Sequence, residues 1–310
     1  MAATAFAGAS CVGLVVACRG ILGIEELPLR GADAGDAGPS VDASDASTCR
    51  PEQKGCSADC PRDFCDDFDL DGQAPSTRWV APAGFVNPVA RGDASLELVP
   101  VAFSTPMSLA VTSGSPNRTS YSILVHQLDF RKDRPASAKL AGLLVSSSVR
   151  FESLSYVPDA GFPTDVAVLG LLRPDSFPPK GIAIVVQRGG ASLDVSEDVL
   201  GGSAPTARAE LGTGFNVEGV LGAWVTGEIF VGTKARAVAR GFAKCNSVPD
   251  GMVAAAALGK KVFGEACTTL PASLAGDWVE RAVLLTGAAM FAPGYVKLND
   301  DDVTAVYDAE

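Results

Sequence analysis

Histidine is nearly absent from this sequence, which contains only His126 among its 310 residues. A catalytic triad or a metal cluster built on histidine would therefore depend on that one side chain. His126 lies in a stretch with the pattern of a strand, on the same face as Ser122, Leu124 and Leu128. A lone histidine in this setting indicates a structural or surface residue rather than a catalyst.

Two common catalytic or binding motifs are also missing. The chain has no G-x-S-x-G segment, which is the nucleophile elbow of α/β-hydrolases. The glycine pairs at 189–190 and 201–202 are not followed by Lys and Ser or Thr, as a phosphate-binding loop requires. These absences disfavour serine hydrolysis and nucleotide binding.

Positive charge is scarce. Lys and Arg number 25 against 36 Asp and Glu, and the net charge is −11 with a pI near 4.6. Nucleic acids and anionic lipid head groups both favour a basic surface, so they are disfavoured as partners. Neutral glycans, proteins and cations such as Ca²⁺ remain.

Apolar residues are plentiful but occur in short pieces. They form 47% of the chain, while 33 glycines and 20 prolines interrupt them, which is typical of an all-β protein. The clearest alternating segments are predicted to be strands: Ser95–Val101, Met107–Thr112, Tyr121–Phe130, Leu143–Phe151, Asp165–Leu172, Ile182–Gln187, Ser192–Glu197, Trp224–Val231, Trp278–Leu285 and Val303–Tyr307. No convincing amphipathic helix is evident, although Met252–Lys261, which contains four consecutive alanines, could form a helix. No internal repeat is evident, and no linker interrupts the chain after residue 64.

Two stretches carry a resemblance to a known family. The first is Phe64-Cys65-Asp66-Asp67-Phe68-Asp69, an alternating opening strand followed by Trp79. The second runs from Gly276-Asp277-Trp278 to Gly294-Tyr295-Val296-Lys297-Leu298-Asn299-Asp300. Together they resemble the concanavalin A-like jelly rolls, which include laminin G-like modules and laminarinase-type glucanases. The resemblance implies one β-sandwich of two antiparallel sheets over residues 64–310. The terminal strand Val303–Tyr307 is expected to pair near the opening strand, which would close the sandwich and cover an edge.

The catalytic strand of such glucanases has no counterpart here. Those enzymes place two carboxyl groups about 5 Å apart on one strand, as E-x-D-x-E or a bulged variant. This chain has no such segment, and the adjacent Glu197 and Asp198 would face opposite sides of a strand. The sequence therefore predicts no enzyme but a non-catalytic module that binds a glycan or a protein at the cell envelope. The alternatives are a glycoside hydrolase without the usual motif and a purely structural envelope protein.

The N-terminus has the pattern of an export signal. The apolar run Ala2–Ala17 is too short to span a bilayer, and Val15-Val16-Ala17-Cys18 resembles a bacterial lipobox. The resemblance implies a signal in residues 1–18, a lipid on Cys18 as the only membrane attachment, and a place in the envelope on the outer membrane. The alternatives are a cleaved secretory signal and a merely apolar N-terminus, since no Lys or Arg precedes Cys18. Residues 19–48 are small, polar and acidic, and are predicted to be a disordered linker.

The remaining cysteines predict a disulfide framework. Six lie beyond the lipobox: Cys49, Cys56, Cys60, Cys65, Cys245 and Cys267. An even number in an exported chain favours three disulfides, with Cys245 joined to Cys267 and two bridges in a neck over residues 49–63 and Cys65. The alternative for the N-terminal four is a zinc site, whose usual spacing they match only in part.

A structural Ca²⁺ is the metal that the resemblance implies. Such domains hold one near the first and last strands, and here Asp67 and Asp69 would meet Asp308. Asn299-Asp300-Asp301-Asp302, taken as an acidic turn, is a second candidate. The alternative is that these carboxylates are solvated. Trp79, Trp224 and Trp278 are predicted to pack in the core, with sugar stacking as the alternative.

Overall fold

The computed structural model describes residue 56 and residues 62–68, 78–104, 107–116, 119–156, 165–187, 189–201, 204–213, 217–259 and 264–310. Within these residues the chain forms antiparallel β-strands and little helix. The strands are β1 (Phe64–Asp66), β2 (Val89–Arg91), β3 (Asp93–Val99), β4 (Ser108–Ser115), β5 (Ser120–Gln127), β6 (Leu140–Tyr156), β7 (Val166–Leu172), β8 (Gly181–Gln187), β9 (Gly190–Ser196), β10 (Ala207–Thr213), β11 (Trp224–Thr233), β12 (Met252–Leu258), β13 (Glu265–Thr269), β14 (Val283–Met290) and β15 (Gly294–Ala309). The helices are α1 (Lys234–Ala239) and 3-10 turns at Val217–Val220, Ala243–Ser247, Ala272–Leu274 and Asp277–Arg281.

The strands form two antiparallel sheets. Sheet A has the order β13-β12-β11-β6-β15-β4-β3, and β1 also pairs with β15. Sheet B has the order β10-β9-β8-β7-β14-β5-β2. The predicted all-β sandwich of two antiparallel sheets is therefore confirmed.

Alternate side chains of both sheets fill the core between them. On β6 these are Leu143, Val145, Val149 and Phe151, which cluster with β7 residues of sheet B such as Leu169. The intervening β6 residues point to the other face of sheet A. The period-2 pattern of the sequence thus describes which residues are buried between the sheets.

β6 and β15 are the long central pair of sheet A. They contain 17 and 16 residues, and their pairing extends from Gly294 opposite Tyr156 to Ala309 opposite Leu140. On its other side β15 pairs first with β4 and then with β1, where Phe64 lies opposite Ala305. The predicted pairing of the terminal strand with the opening strand is confirmed.

Two predictions about single elements are wrong. Met252–Leu258 is strand β12, because its residues pair with β11 on one side and β13 on the other. Tertiary pairing overrides the helix propensity of its alanines. The segment Asp277–Arg281 around Trp278 is a 3-10 turn, and the strand predicted there begins only at Val283.

A buried carboxyl group joins the two sheets. Asp300 on β15 is fully buried, and it accepts hydrogen bonds from Ser147 of sheet A and Thr286 of sheet B. Burial raises the pKa of Asp300 to about 7, although the two hydroxyl groups oppose that increase. The folded protein therefore binds a proton at Asp300 at pH values where the unfolded chain does not.

We expect this group to weaken folding as the pH rises. Between the ordinary aspartate pKa of 3.8 and a pKa of about 7, the folded state holds the extra proton, so its stability falls with increasing pH and is constant above that range. The Asp300 contribution is at most about 1.4 kcal/mol per pH unit. Asp300→Asn removes this pH-dependent contribution. The free energy of unfolding of the variant, relative to that of wild type, should therefore increase from pH 4.5 to pH 7. Urea unfolding at both values measures this, and parallel pH profiles for the two proteins would contradict it.

Candidate functional site

The outer face of sheet A, which points away from the core, is the candidate site. Its far end is covered by α1 and the 3-10 turn Ala243–Ser247. There Phe230 of β11 packs with Phe242 and with the β12 residue Ala255. The disulfide Cys245–Cys267 ties the 3-10 turn to β13. This cover buries the apolar end of the outer face and leaves its polar part as the region open to a ligand.

A loop of residues 100–104, which follows β3, lies across the middle of this face. The backbone N–H groups of Phe103 and Ser104 donate to Asp301 Oδ2 at 2.8 and 2.9 Å. The Ser104 hydroxyl donates to Asp302 Oδ1 at 2.7 Å. The Phe103 ring lies 5.8 Å from the Trp224 ring on β11, centroid to centroid. The loop therefore extends over β15 and β6 and forms one wall of the open region.

A β-bulge in β15 makes this anchorage feasible. Asp301 lies opposite Ser148 and Thr304 opposite Ser146, so β15 has one more residue than β6 in this interval. Asp302 takes a left-handed backbone conformation there, with φ of 49°. The extra residue shifts the alternation, so that Asp300 and Val303 both point into the core while Asp301 meets the loop. Burial is the main cause that raises the pKa of Asp301 to about 7, and the neighbouring charge of Asp302 adds to it.

Beside the loop is an open strip formed by Trp224, Arg150, Glu152, Asn299, Lys297 and Tyr295. Trp224 lies directly opposite Arg150, and Arg150 lies opposite Asn299, so the three form a row across β11, β6 and β15. Antiparallel neighbours in such a row have their Cβ atoms about 5 Å apart. The row therefore places an aromatic, a guanidinium and an amide group next to one another.

Glu152 holds the centre of the open strip together. It is the extra residue of a second bulge, between Ser153 and Phe151 of β6. Its Oε1 atom accepts a hydrogen bond from Asn299 Nδ2 at 3.0 Å and lies 2.9 Å from Arg150 Nε. The Arg150 and Glu152 side chains are each 28% exposed, whereas Asn299 is buried. The site thus has a fixed floor with two partly exposed charged groups.

Tyr295 and Lys297 form the rim of the open strip opposite the loop. Both are exposed and alternate with buried Val296 and Leu298. The Tyr295 ring packs against Gly114 of β4, where a Cβ atom would be 2.0 Å from Tyr295 Cδ1. Gly114 therefore has a specific use, since any larger residue would lift the ring away from the sheet.

The arrangement suits a ligand with many hydroxyl groups. Binding sites commonly combine apolar ring surfaces with a few fixed polar groups that orient the ligand. Here the rings are Phe103, Trp224 and Tyr295, and the polar groups between them are the partly exposed guanidinium of Arg150 and carboxylate of Glu152, which the buried Asn299 amide holds in place. An aromatic face packs against the C–H groups of a sugar ring, while guanidinium and carboxylate groups bind its hydroxyls.

The predicted Ca²⁺ ligands are not brought together. Asp66, next to Asp67, lies opposite Val303, whereas Asp308 is five residues further along β15 (303 to 308), or roughly 16 Å of strand. Asp308 forms an ion pair with Arg240, and Asp67 accepts a hydrogen bond from the Cys56 N–H. Asp69 lies outside the described residues. Among the residues that are described, no three His, Cys, Asp or Glu side chains form a group that could hold a metal.

The second candidate for Ca²⁺ is not a turn. Asn299–Asp302 lies inside β15, with Asp300 pointing into the core and Asp301 occupied by the loop. The run of acidic residues misled the prediction, because a strand places successive carboxylates on opposite faces.

His126 packs in an aromatic cluster away from the outer face of sheet A. Its ring lies 4.1 Å from that of Phe64, and its Nδ1 atom accepts a hydrogen bond from the Val80 N–H at 3.2 Å. Burial lowers the pKa of His126 to about 4, so the ring is neutral near pH 7. This geometry supports the structural role.

Two of the three tryptophans are core residues, and the third is not. Trp79 and Trp278 are buried, and their indole N–H groups donate to Asp66 Oδ2 at 2.9 Å and to the Leu274 carbonyl at 2.8 Å. Trp224 is only half-buried and lies at the edge of the open strip. For this residue the alternative of ligand contact fits better than the core.

The cysteines form disulfides wherever they are described. The expected bridge Cys245–Cys267 is confirmed, and Cys56 pairs with Cys65, which contradicts the zinc alternative for that group. Cys49, Cys60 and the predicted lipid site Cys18 lie outside the described residues.

Arg150 and Glu152 are functional candidates that the sequence did not point to, and Asn299 was predicted only as part of the second Ca²⁺ candidate. A signal existed in β6, where Ser146, Ser148 and Arg150 alternate with core residues and give one face an unbroken polar row. The bulge at Glu152 and the partner on β15 cannot be seen in the sequence.

No protein-family model matches the sequence, and a search of curated proteins finds no match. Several solved structures share the fold at low identity. They include the "Cellulose induced protein, Cip1" (16% identity, covering 78% of this chain and 96% of that one, TM-score 0.44). They also include a marine PL-14 alginate lyase from Aplysia kurodai (10% identity, 80% and 100% coverage, TM-score 0.45). A family 7 alginate lyase, A1-II', has 14% identity, coverage of 67% and 82%, and a TM-score of 0.40. The similarity concerns the jelly-roll sandwich alone.

These comparisons correct one expectation. The sequence predicted that the protein is not an enzyme, but the proteins that share its sandwich include alginate lyases. The expectation depended on the absence of one catalytic pattern, that of glucanases. It was wrong because sandwiches of this kind also occur in enzymes of another class.

Among the residues that the structure describes, no helix has the length and apolar character needed to cross a bilayer.

The loop over the outer face depends on Asp301. Asp301→Ala leaves the N–H groups of Phe103 and Ser104 without their acceptor, which costs about 1–3 kcal/mol. We expect the loop to detach and the Trp224 ring to become more accessible. Acrylamide quenching of tryptophan fluorescence measures this, because Trp79 and Trp278 are buried in the folded protein and neither lies at the loop.

Ser104→Ala is the matched control, since it removes only the hydroxyl and keeps the backbone hydrogen bond to Asp301. Quenching should increase more in Asp301→Ala than in Ser104→Ala. Equal quenching in wild type and Asp301→Ala would contradict the anchoring role.

Proposed function

We propose that this protein recognises a polysaccharide along the open strip of sheet A. The observation that carries the proposal is the cross-strand row of Trp224, Arg150 and Asn299, flanked by the Phe103 and Tyr295 rings. Successive binding elements follow one another across the strands, as an extended chain of sugars requires. The names of proteins with a similar sandwich, a cellulose-induced protein and alginate lyases, agree with a glycan as the ligand class.

The floor of the strip is preorganised for binding. Asn299 is buried and held by Glu152, so its amide is fixed before a ligand arrives. Preorganised groups lose little conformational entropy on binding. The strip therefore binds through groups already in position, with the loop of residues 100–104 as its wall.

Removing the Trp224 ring tests the proposal directly. The full-length protein is titrated with a panel of soluble plant, algal and bacterial polysaccharides, and we expect saturable binding to one class. Trp224→Ala should weaken that binding about tenfold, equivalent to about 1.4 kcal/mol, because the apolar platform is lost. Isothermal titration calorimetry or affinity electrophoresis measures the change. Release of unsaturated or reducing ends from the bound polymer is measured on the same samples, which tests for turnover separately.

Phe177→Ala is the matched control for loss of an aromatic ring. Phe177 is 98% exposed and lies between β7 and β8 of sheet B, away from the strip. Its removal should leave binding unchanged. Equal effects of the two substitutions, or no binding to any polymer, would overturn the proposal.

We also propose that a lipid on Cys18 holds the protein at the bacterial cell envelope. The support is the lipobox-like sequence Val15-Val16-Ala17-Cys18. Cells grown with a labelled fatty acid should incorporate it into the wild-type protein and retain that protein in the membrane fraction. Cys18→Ser should abolish both, whereas Cys11→Ser, inside the proposed signal, should abolish neither. A Cys18→Ser protein that is still labelled would refute the anchor.

A further inference from the structure

We infer that the open strip selects uncharged polysaccharide chains and discriminates against polyuronates, and that Glu152 sets this preference. The inference rests on the proposed function and specifies the ligand class of the same site. It follows from the charges on the outer face of sheet A and from the state of Arg150.

Arg150 is already neutralised. Its Nε atom lies 2.9 Å from Glu152 Oε1, and the contact is an ion pair without a hydrogen bond at Nε. That Nε atom is also buried, so a ligand can reach only the terminal guanidinium nitrogens. The Nε edge that an arginine commonly offers to a carboxylate is therefore closed to a ligand.

Acidic groups outnumber basic ones around the strip. Described side chains on this face or at the loop that crosses it include four carboxyl groups and three cations, besides Asp301, whose raised pKa of about 7 leaves it only partly charged near pH 7. The four carboxyl groups are Glu97, Glu152, Glu228 and Asp302, and the cations are Arg62, Arg150 and Lys297. The whole chain carries a net charge of −11, so the electrostatic field further from the strip is also negative. A polyanion approaching this face meets repulsion at long and short range.

Glu152 also favours hydroxyl groups chemically. Its carboxylate can accept hydrogen bonds but cannot donate them. A sugar hydroxyl can donate a further hydrogen bond to the partly exposed Glu152 carboxylate, whereas a uronate carboxylate beside it would bring two like charges together. A neutral chain thus satisfies both members of the Arg150–Glu152 pair: the guanidinium donates to one hydroxyl and the carboxylate accepts from another.

The test compares two sets of polymers on the full-length protein. Neutral β-glucan, xylan and mannan form one set, and alginate and polygalacturonate form the other. At 0.15 M salt, we expect the best neutral polymer to bind at least tenfold more tightly than either polyuronate. Polyuronate binding as tight as neutral binding would overturn the inference and leave the proposed function standing. Absence of binding to all five polymers would overturn the proposed function itself.

Glu152→Gln then tests the mechanism. The substitution removes one negative charge and frees Arg150 to meet a ligand carboxylate, so polyuronate binding should strengthen about tenfold. Glu210→Gln removes the same charge from exposed β10 of sheet B and should change nothing. If Glu152→Gln lowers the melting temperature markedly, Glu97→Gln on exposed β3 is used as the test variant instead, and we expect it to strengthen polyuronate binding about threefold. Unchanged polyuronate binding in whichever of the two variants is folded and used would overturn the role given to these charges.

Discussion

The pairing of β6 with β15 is the constraint on which the rest of sheet A depends. These strands contain 17 and 16 residues, and every other strand of the sheet is added on one side or the other of this pair. Because side chains alternate between faces, one register decides both what enters the core and what is presented outside. The same pairing that buries Phe151 with Leu298 places Arg150 beside Asn299. Packing and site geometry therefore have a common origin.

Two bulges adjust this register where polar groups must be accommodated. One adds a residue to β15 near Asp302, and the other adds Glu152 to β6. The first lets Asp300 join the sheets inside the core while Asp301 anchors the loop of residues 100–104 outside. The second brings a carboxylate to Arg150 and Asn299. Strand bulges often re-aim side chains at functional sites, and here they supply both the wall and the floor of the open strip.

The candidate site differs in kind from the buried polar groups elsewhere. Asp66 binds Trp79 and Arg78, and Arg208 binds Asp194 and Asp165, so these groups mainly satisfy one another. In the open strip Arg150 and Glu152 also neutralise each other, but both remain partly exposed beside a half-buried tryptophan. A paired charge that still faces solvent can exchange water for ligand hydroxyls at little electrostatic cost. This property connects the geometry of the strip to an uncharged ligand.

The sequence by itself determined the all-β sandwich, the Cys245–Cys267 bridge and the structural environment of His126, because these follow from local alternation, cysteine number and one isolated residue type. It misassigned Met252–Leu258, since pairing on both sides outweighs the helix preference of alanine. Only the tertiary structure decided where the acidic residues of β15 point and which residues form the open strip. Trp224, Arg150 and Asn299 are separated by 74 and 149 positions in the chain (224 − 150 and 299 − 150), and they meet solely through strand register. Register depends on long-range packing and bulges, and no short stretch of sequence contains that information.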